Sequence, residues 1–231
     1  MSLWIRIAEA LAALAMGEGL AAVFDRLRAA PVPERSVGFT IAIIAMAAKI
    51  SKADGTVSRA EVSAFRSIFT LPREEEVNAA RVFNLARQDV AGFETYAAKI
   101  AALFNPQGVQ ICADDHHILI DILEALFAIA MADGEYHPNE DAFLAQVAQV
   151  FGVEARCFAT VRARYVEGAP RDPFDVLGAA PSDSLEDVRR AWRAAVKQSH
   201  PDVMIARGVP PQAVQLAARR LVAINEAWAA V

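Results

Sequence analysis

Several things are scarce in this sequence, and each scarcity removes a class of protein. Cysteine occurs twice in 231 residues, at Cys112 and Cys157, with no repeated spacing. That excludes a scaffold built on many disulfides and argues against a zinc knuckle. It fits a reduced, cytoplasmic setting with both thiols as small core residues. Basic charge is not in excess: 23 Lys and Arg face 28 Asp and Glu, a net of −5. A chain of that sign is not built for wholesale binding to nucleic acid. No run alternates polar and apolar residues for long enough to make a sheet. Aromatics are only 8 % of the chain, while hydrophobic residues reach 55 % and Ala is abundant. Small apolar side chains favour close-packed helices, so the expected fold is all-α.

A long uncharged apolar run is also missing. The N-terminal stretch "LWIRIAEALAALAMGEGLAAVF" is interrupted by Arg6, Glu9 and Glu18. A spanning helix needs about 20 largely uncharged apolar residues, and a charge at mid-bilayer costs roughly 2.5–3.5 kcal/mol. Met1-Ser2-Leu3 supplies no basic opening of the kind a signal peptide has. Trp4, Ile7, Leu11, Leu14 and Ala15 recur at helical spacing, so residues 1–30 read as an amphipathic helix. Three partners suit its apolar face: the following domain, a second copy in a homodimer, or the inner face of a membrane.

Pro31-Val32-Pro33 ends that helix and its linker. An almost wholly helical domain is expected over residues 35–165, then a linker over 166–171, then a C-terminal domain over 172–231. Charge divides in the same place. Residues 171–231 hold 8 Lys and Arg against 7 Asp and Glu, leaving 15 against 21 for the rest. An acidic domain precedes a nearly neutral one.

The acidic domain carries an internal repeat. "AKISKADGTVSRAEVSAF" from Ala48 matches "FAIAMADGEYHPNEDAFL" from Phe127 at a shift of 79 residues, which aligns Asp54 with Asp133 and Glu61 with Glu140. Each copy reads as helix, Ala-Asp-Gly turn, helix, with Gly55 and Gly134 suited to the left-handed end of a helix. Ser58 and Glu61 form a capping box. Pro138 suits a first helical position and Glu140 the first turn. The result would be a bundle of pseudo-repeated helical hairpins. A calcium hand fails here, because Ile50, Lys52, Ile129 and Met131 would occupy loop positions that need oxygen ligands. Capping and surface roles are one reading of Asp54, Glu61, Asp133 and Glu140. A divalent-cation site, formed if the hairpins face each other, is the other. His116 and His117 are adjacent and point about 100° apart on a helix, so they do not share a face. Asp114 or Asp115 is expected to cap the helix that follows them.

The C-terminal domain opens with "DPFDVLGAAPSDS", in which Gly178 ends a short turn and Ser182 or Ser184 caps a helix over Leu185 to Gln198. Leu185, Val188, Trp192, Ala195 and Val196 should share one face. Arg189, Arg193 and Lys197, flanked by Arg190, line another. "PQAVQLAARRLVAINEAWAAV" forms a second long helix with Val214, Ala217, Leu221, Ile224 and Trp228 inward, antiparallel to the first. His200-Pro201-Asp202 then lies at the tip of the hairpin, in a loop expected to hold no further structure. Pro201 stops the helix. One His and one Asp are too few ligands for zinc, and no nucleophile stands beside them. An exposed loop beside a basic face suits recognition of an acidic protein partner.

"DPFDVLG", the basic helix, "HPD" and "INEAWAAV" occur in order and spaced as in the J domain of DnaJ-type co-chaperones. The loop "HPDVMIARGVPPQAVQLAARR" resembles the DjlA-like branch, where a TerB-like helical domain (tellurite-resistance type) precedes the J domain. The Ala-Asp-Gly repeats resemble that TerB-like part. The resemblance implies docking on a DnaK-type chaperone and stimulation of its ATPase, so the chain would be a regulator and not an enzyme. It also implies that His200, Pro201 and Asp202 are required and that Arg189, Arg190, Arg193 and Lys197 dock. No cofactor follows from it, and the client protein is not legible. Members of the branch begin with a clean, glycine-rich membrane span. Here the three charges interrupt it and Gly17 and Gly19 are its only glycines. A second reading is a metal-responsive or stress-related binding module that recruits a chaperone.

Overall fold

The first helix described in full takes a proline into its opening turn. In this computed structural model α1 runs from Val32 to Ala53 and takes Pro33 into its first turn, where no intrahelical N–H is needed. Pro33 therefore opens a helix where the sequence reading had it close a linker. The structure describes residues 7, 32–53, 92–111, 117–166, 172–207, 209–210 and 215–231. The other helices among the described residues are α2 (Phe93–Phe104), α3 (Ile118–Ala130), α4 (Pro138–Phe151), α5 (Ala155–Tyr165), α6 (Pro173–Leu177), α7 (Leu185–Gln198), α8 (Pro201–Arg207) and α9 (Gln215–Ala229). A lone parallel bridge, Ile111 to Val153, is the extended pairing among the described residues. The all-α expectation holds.

The sequence "ILIDILEALFAIA" explains the architecture. Apart from Asp121 and Glu124 it is apolar on every side, and a helix of that kind needs neighbours all round. All of α3 is buried, with α1, α4, α5 and α9 packed about it. Phe127 sits in an aromatic cluster with Tyr136, Phe158 and Tyr165 at centroid distances of 6.0, 5.6 and 6.2 Å. Ile7 is buried in the same core, which fits docking of the N-terminal stretch on the following domain. The rest of residues 1–30 lies outside the described residues. Among the described residues no helix is long and apolar enough to cross a membrane.

The second Ala-Asp-Gly turn folds as its residues require. Met131–Asp133 tightens into a 3₁₀ turn, and Gly134 follows at φ 86°. Pro138 starts α4, and the Glu140 carboxylate accepts from the His137 N–H at 2.9 Å. The first copy, with Asp54, Gly55, Ser58 and Glu61, lies outside the described residues.

Two expectations are corrected in this domain. His117 caps α3, accepting from the Leu119 N–H through Nδ1 at 3.2 Å, where Asp114 or Asp115 was expected. A histidine nitrogen can do what a carboxylate oxygen does there, because the last residue before the helix needs only an acceptor. Cys157 is buried as expected but is disulfide-bonded, not a free thiol. The one other cysteine, Cys112, lies outside the described residues. Its neighbour Ile111 is tied to the start of α5, accepting from the Glu154 N–H at 3.1 Å and donating to the Gly152 carbonyl at 2.8 Å.

The C-terminal elements form a small second core. Val176, Leu177, Val188, Ile224 and Ala227 are buried together, with Trp192 stacked on Trp228 at 5.0 Å. Trp192 Nε1 donates to Asn225 Oδ1 at 3.2 Å. Gly178 ends α6 at φ 72°. An L side chain there is strained by about 1–2 kcal/mol, so Gly178→Ala should lower the unfolding free energy of the full chain by that amount and its denaturant midpoint accordingly. An unchanged midpoint would contradict the assigned turn.

Candidate functional site

The exposed basic helix is set by its first turn. Ser184 caps α7, its Oγ accepting from the Asp187 N–H at 3.2 Å, as one of the two expected caps. The Ser184 hydroxyl also donates to Asp187 Oδ2 at 2.6 Å. That bond, and then the Arg190 charge, hold the Asp187 carboxyl below its ordinary value. Val188 faces the small core, and Trp192, Ala195 and Val196 are half-buried beside it. Arg189, Arg190, Arg193 and Lys197 are all exposed. Arg190 is partly neutralised by Asp187 at 2.9 Å. Leu185, expected on the apolar face, is 64 % exposed. At the first position of α7 it precedes the turn that meets the core.

The tripeptide lies at the other end of α7. Ser199 closes the helix, is buried, and donates through Oγ to the Ala195 carbonyl at 2.7 Å. The loop beyond does hold structure: Pro201 is the first residue of α8. Its fixed φ suits a first helical position as well as it blocks α7. The His200 carbonyl accepts from the N–H groups of Val203 and Met204 at 3.0 and 3.1 Å. The His200 ring caps the turn, Nδ1 accepting from the Asp202 N–H at 3.2 Å. A neutral ring with Nδ1 accepting carries its proton on Nε2, so it can donate to a partner. The side chains of His200 and Asp202 are 60 % and 86 % exposed, with 3.6 Å between Nδ1 and Oδ2. Met204, one turn on, is fully buried. The loop is thus an exposed acceptor and an exposed donor held between two buried anchors.

Sequence reasoning missed a second constellation, buried between the acidic domain and the C-terminal helices. Asp121 and Glu124 on α3 meet Arg164 and Tyr165 on α5 and Arg220 on α9. Arg220 Nε donates to Glu124 Oε2 and its NH2 group to Asp121 Oδ1, both at 2.6 Å. Arg164 donates to Glu124 Oε1 at 3.1 Å and to the Val176 carbonyl of α6 at 3.3 Å. The Tyr165 hydroxyl donates to Glu124 Oε2 at 3.1 Å. Two carboxylates face two guanidinium groups, so the buried charge balances. Burial works against the Arg220 charge, but Glu124 and Asp121 outweigh it and the group is held firmly protonated.

Tyr165 gives this cluster a pH signature. Burial, and then the Glu124 charge, push its phenol well above the ordinary 10.0. The unfolded chain releases that proton first, so the contribution is present below the ordinary value and is lost as pH rises beyond it. Burial and the Asp141 bond also raise Tyr136. Tyr165→Phe should therefore remove part, not all, of the stability lost between about pH 8 and about pH 11. Urea midpoints at the two pH values measure it, and an unaltered loss would contradict the assignment.

The four acids singled out for a cation are not all described. Asp54 and Glu61 lie outside the described residues, the backbone of Asp133 forms the 3₁₀ turn, and Glu140 is committed to its cap. Among the described residues no three of His, Cys, Asp and Glu gather as a metal-holding set.

Comparison with known proteins agrees with the DjlA-like resemblance. The profile of the family described as Tellurite resistance protein TerB matches residues 40–163. A co-chaperone protein DjlA from Photobacterium profundum is 28 % identical over 221 residues, covering 84 % of this chain and 77 % of that protein. The DjlA of Escherichia coli K12 is 23 % identical over 269 residues, covering 99 % of this chain and 96 % of its own length. The DjlA of Coxiella burnetii is 25 % identical over 199 residues, covering 78 % and 71 %. No solved structure matches significantly.

Proposed function

We propose, from the premise that this chain belongs to the tellurite-resistance TerB family and is DjlA-like, that it is a DnaJ-type co-chaperone. It docks on a DnaK-type chaperone through α7 and the His200-Pro201-Asp202 loop and stimulates that partner's ATPase. The TerB-like domain serves localisation or client recognition. The observation that carries the reading is the loop itself. His200 and Asp202 are exposed at the end of a basic helix face, while Ser199 and Met204 beside them are buried. Long-range attraction from Arg189, Arg190, Arg193 and Lys197 steers an acidic surface onto α7. Asp202 can then accept a charge-assisted hydrogen bond from a partner Arg, and His200 can donate from Nε2. The hydrolytic groups belong to the partner, so this chain regulates.

Association with a bacterial DnaK-type chaperone in its ATP-bound state tests the docking half. Binding should be detectable at low salt, weaken as salt is raised, and fall further in the double variant Arg189→Glu/Arg193→Glu. No binding by the wild-type chain at low salt, or binding indifferent to both changes, would remove this reading.

A further inference from the structure

The helix that follows the tripeptide is anchored in the wrong domain for a free-standing module. Met204 of α8, together with Val209, Leu216 and Ala217, belongs to the same continuous apolar core as α1 to α5. It does not belong to the small core formed by α6, α7 and α9. Arg220, one turn after Leu216 on α9, is fixed by Asp121 and Glu124 of α3. Arg164 of α5 adds a hold on α6 through the Val176 carbonyl. The basic face of α7, in contrast, is exposed and rests on the small core. Docking face and loop thus rest on two different cores, which α9 joins.

We infer that Met204, Arg220, Asp121 and Glu124 are positioning residues, through which the TerB-like domain sets the placement of the His200-Pro201-Asp202 loop. Pro201 and Asp202 ride on α8, with less than one full turn between Pro201 and the buried Met204. A tilt of α8 relative to α7 would separate the loop from the docking face. Misplacement of about 1 Å can cost on the order of a hundredfold in rate, so a small tilt suffices. The inference rests on the co-chaperone reading.

The test uses the full chain and a bacterial DnaK-type chaperone, and titrates stimulated ATP hydrolysis. Met204→Ala withdraws the anchor, and Met204→Leu restores its volume. Arg220→Lys keeps the charge but cannot fork to two carboxylates. Positioning predicts that Met204→Ala and Arg220→Lys lower the maximal stimulation by about tenfold, with the half-saturating concentration unchanged. Met204→Leu should regain the maximum. A merely structural role would reduce the folded fraction, which raises the half-saturating concentration and leaves the maximum intact. That outcome overturns the inference alone, as does wild-type behaviour of both Met204→Ala and Arg220→Lys. Absence of stimulation by the wild-type chain overturns the co-chaperone reading, and this inference with it.

Discussion

Replacing His200 by Gln should abolish stimulation of a DnaK-type chaperone while leaving the chain folded. The two halves of that result have separate causes. The His200 side chain is 60 % exposed, so its loss uncovers little apolar surface. What the fold loses is one cap, the bond from the Asp202 N–H to Nδ1, a change of about 1 kcal/mol. The thermal midpoint should therefore move by only a few degrees, roughly 2–4 °C for a chain of this size. What the partner loses is a ring donor at a fixed place beside Asp202. ATP hydrolysis should fall to the chaperone's basal rate at every concentration of the variant. Circular dichroism and the melting curve confirm the fold in the same preparation. Full stimulation by His200→Gln would refute the site.

Removing Arg220 should cause a large loss of stability. Arg220→Met leaves Asp121 and Glu124 buried on α3, with Arg164 as the remaining cation in contact with Glu124. Breaking a buried ion pair from one side costs about 3–5 kcal/mol, because a charge is left desolvated. For a chain of this length that is a fall of roughly 6–20 °C in melting temperature. The cost should shrink when Asp121→Asn is added to Arg220→Met, since Glu124 keeps Arg164 and the second change removes the carboxylate charge that Arg220 balanced. A denaturant titration of the wild type, both singles and the double measures this coupling. A loss below about 1 kcal/mol for Arg220→Met would mean that the cluster is solvated, as surface pairs are.

Legibility differed with the kind of signal. Local signals transferred well: α7 spans Leu185–Gln198, Ser184 caps it, Gly178 is left-handed, and Pro138 and Glu140 open α4. Each depends on a handful of neighbouring residues and on backbone chemistry that no distant contact overrides. The loop after His200 holds a helix that the sequence pattern hides, because the fixed φ of Pro201 both stops α7 and starts α8. Leu185 is exposed despite its apolar character because it stands at the helix end, before the turn that meets the core.

The buried cluster is partly legible in the sequence. Asp121 and Glu124 stand i,i+3 in an otherwise apolar helix, and such a pair on a buried face demands cations. Of Arg219 and Arg220, the second lies four residues from Leu216 and four from Ile224, on the buried stripe. What the sequence could not show is that α3 and α9, about a hundred residues apart, would meet there. That requires the docking of one domain on the other, and no local pattern carries it. The same docking explains why the acidic domain is more than an attachment to the C-terminal hairpin.

The central claim is that this chain regulates a chaperone's ATPase through its exposed tripeptide. Its most direct test is single-turnover ATP hydrolysis by a bacterial DnaK-type chaperone, with wild type and Asp202→Asn side by side. Asp202 is 86 % exposed, so the substitution changes charge and hardly any packing. Acceleration by the wild type and the basal rate with Asp202→Asn is the predicted result. Equal acceleration by both, or none by the wild type, would contradict it.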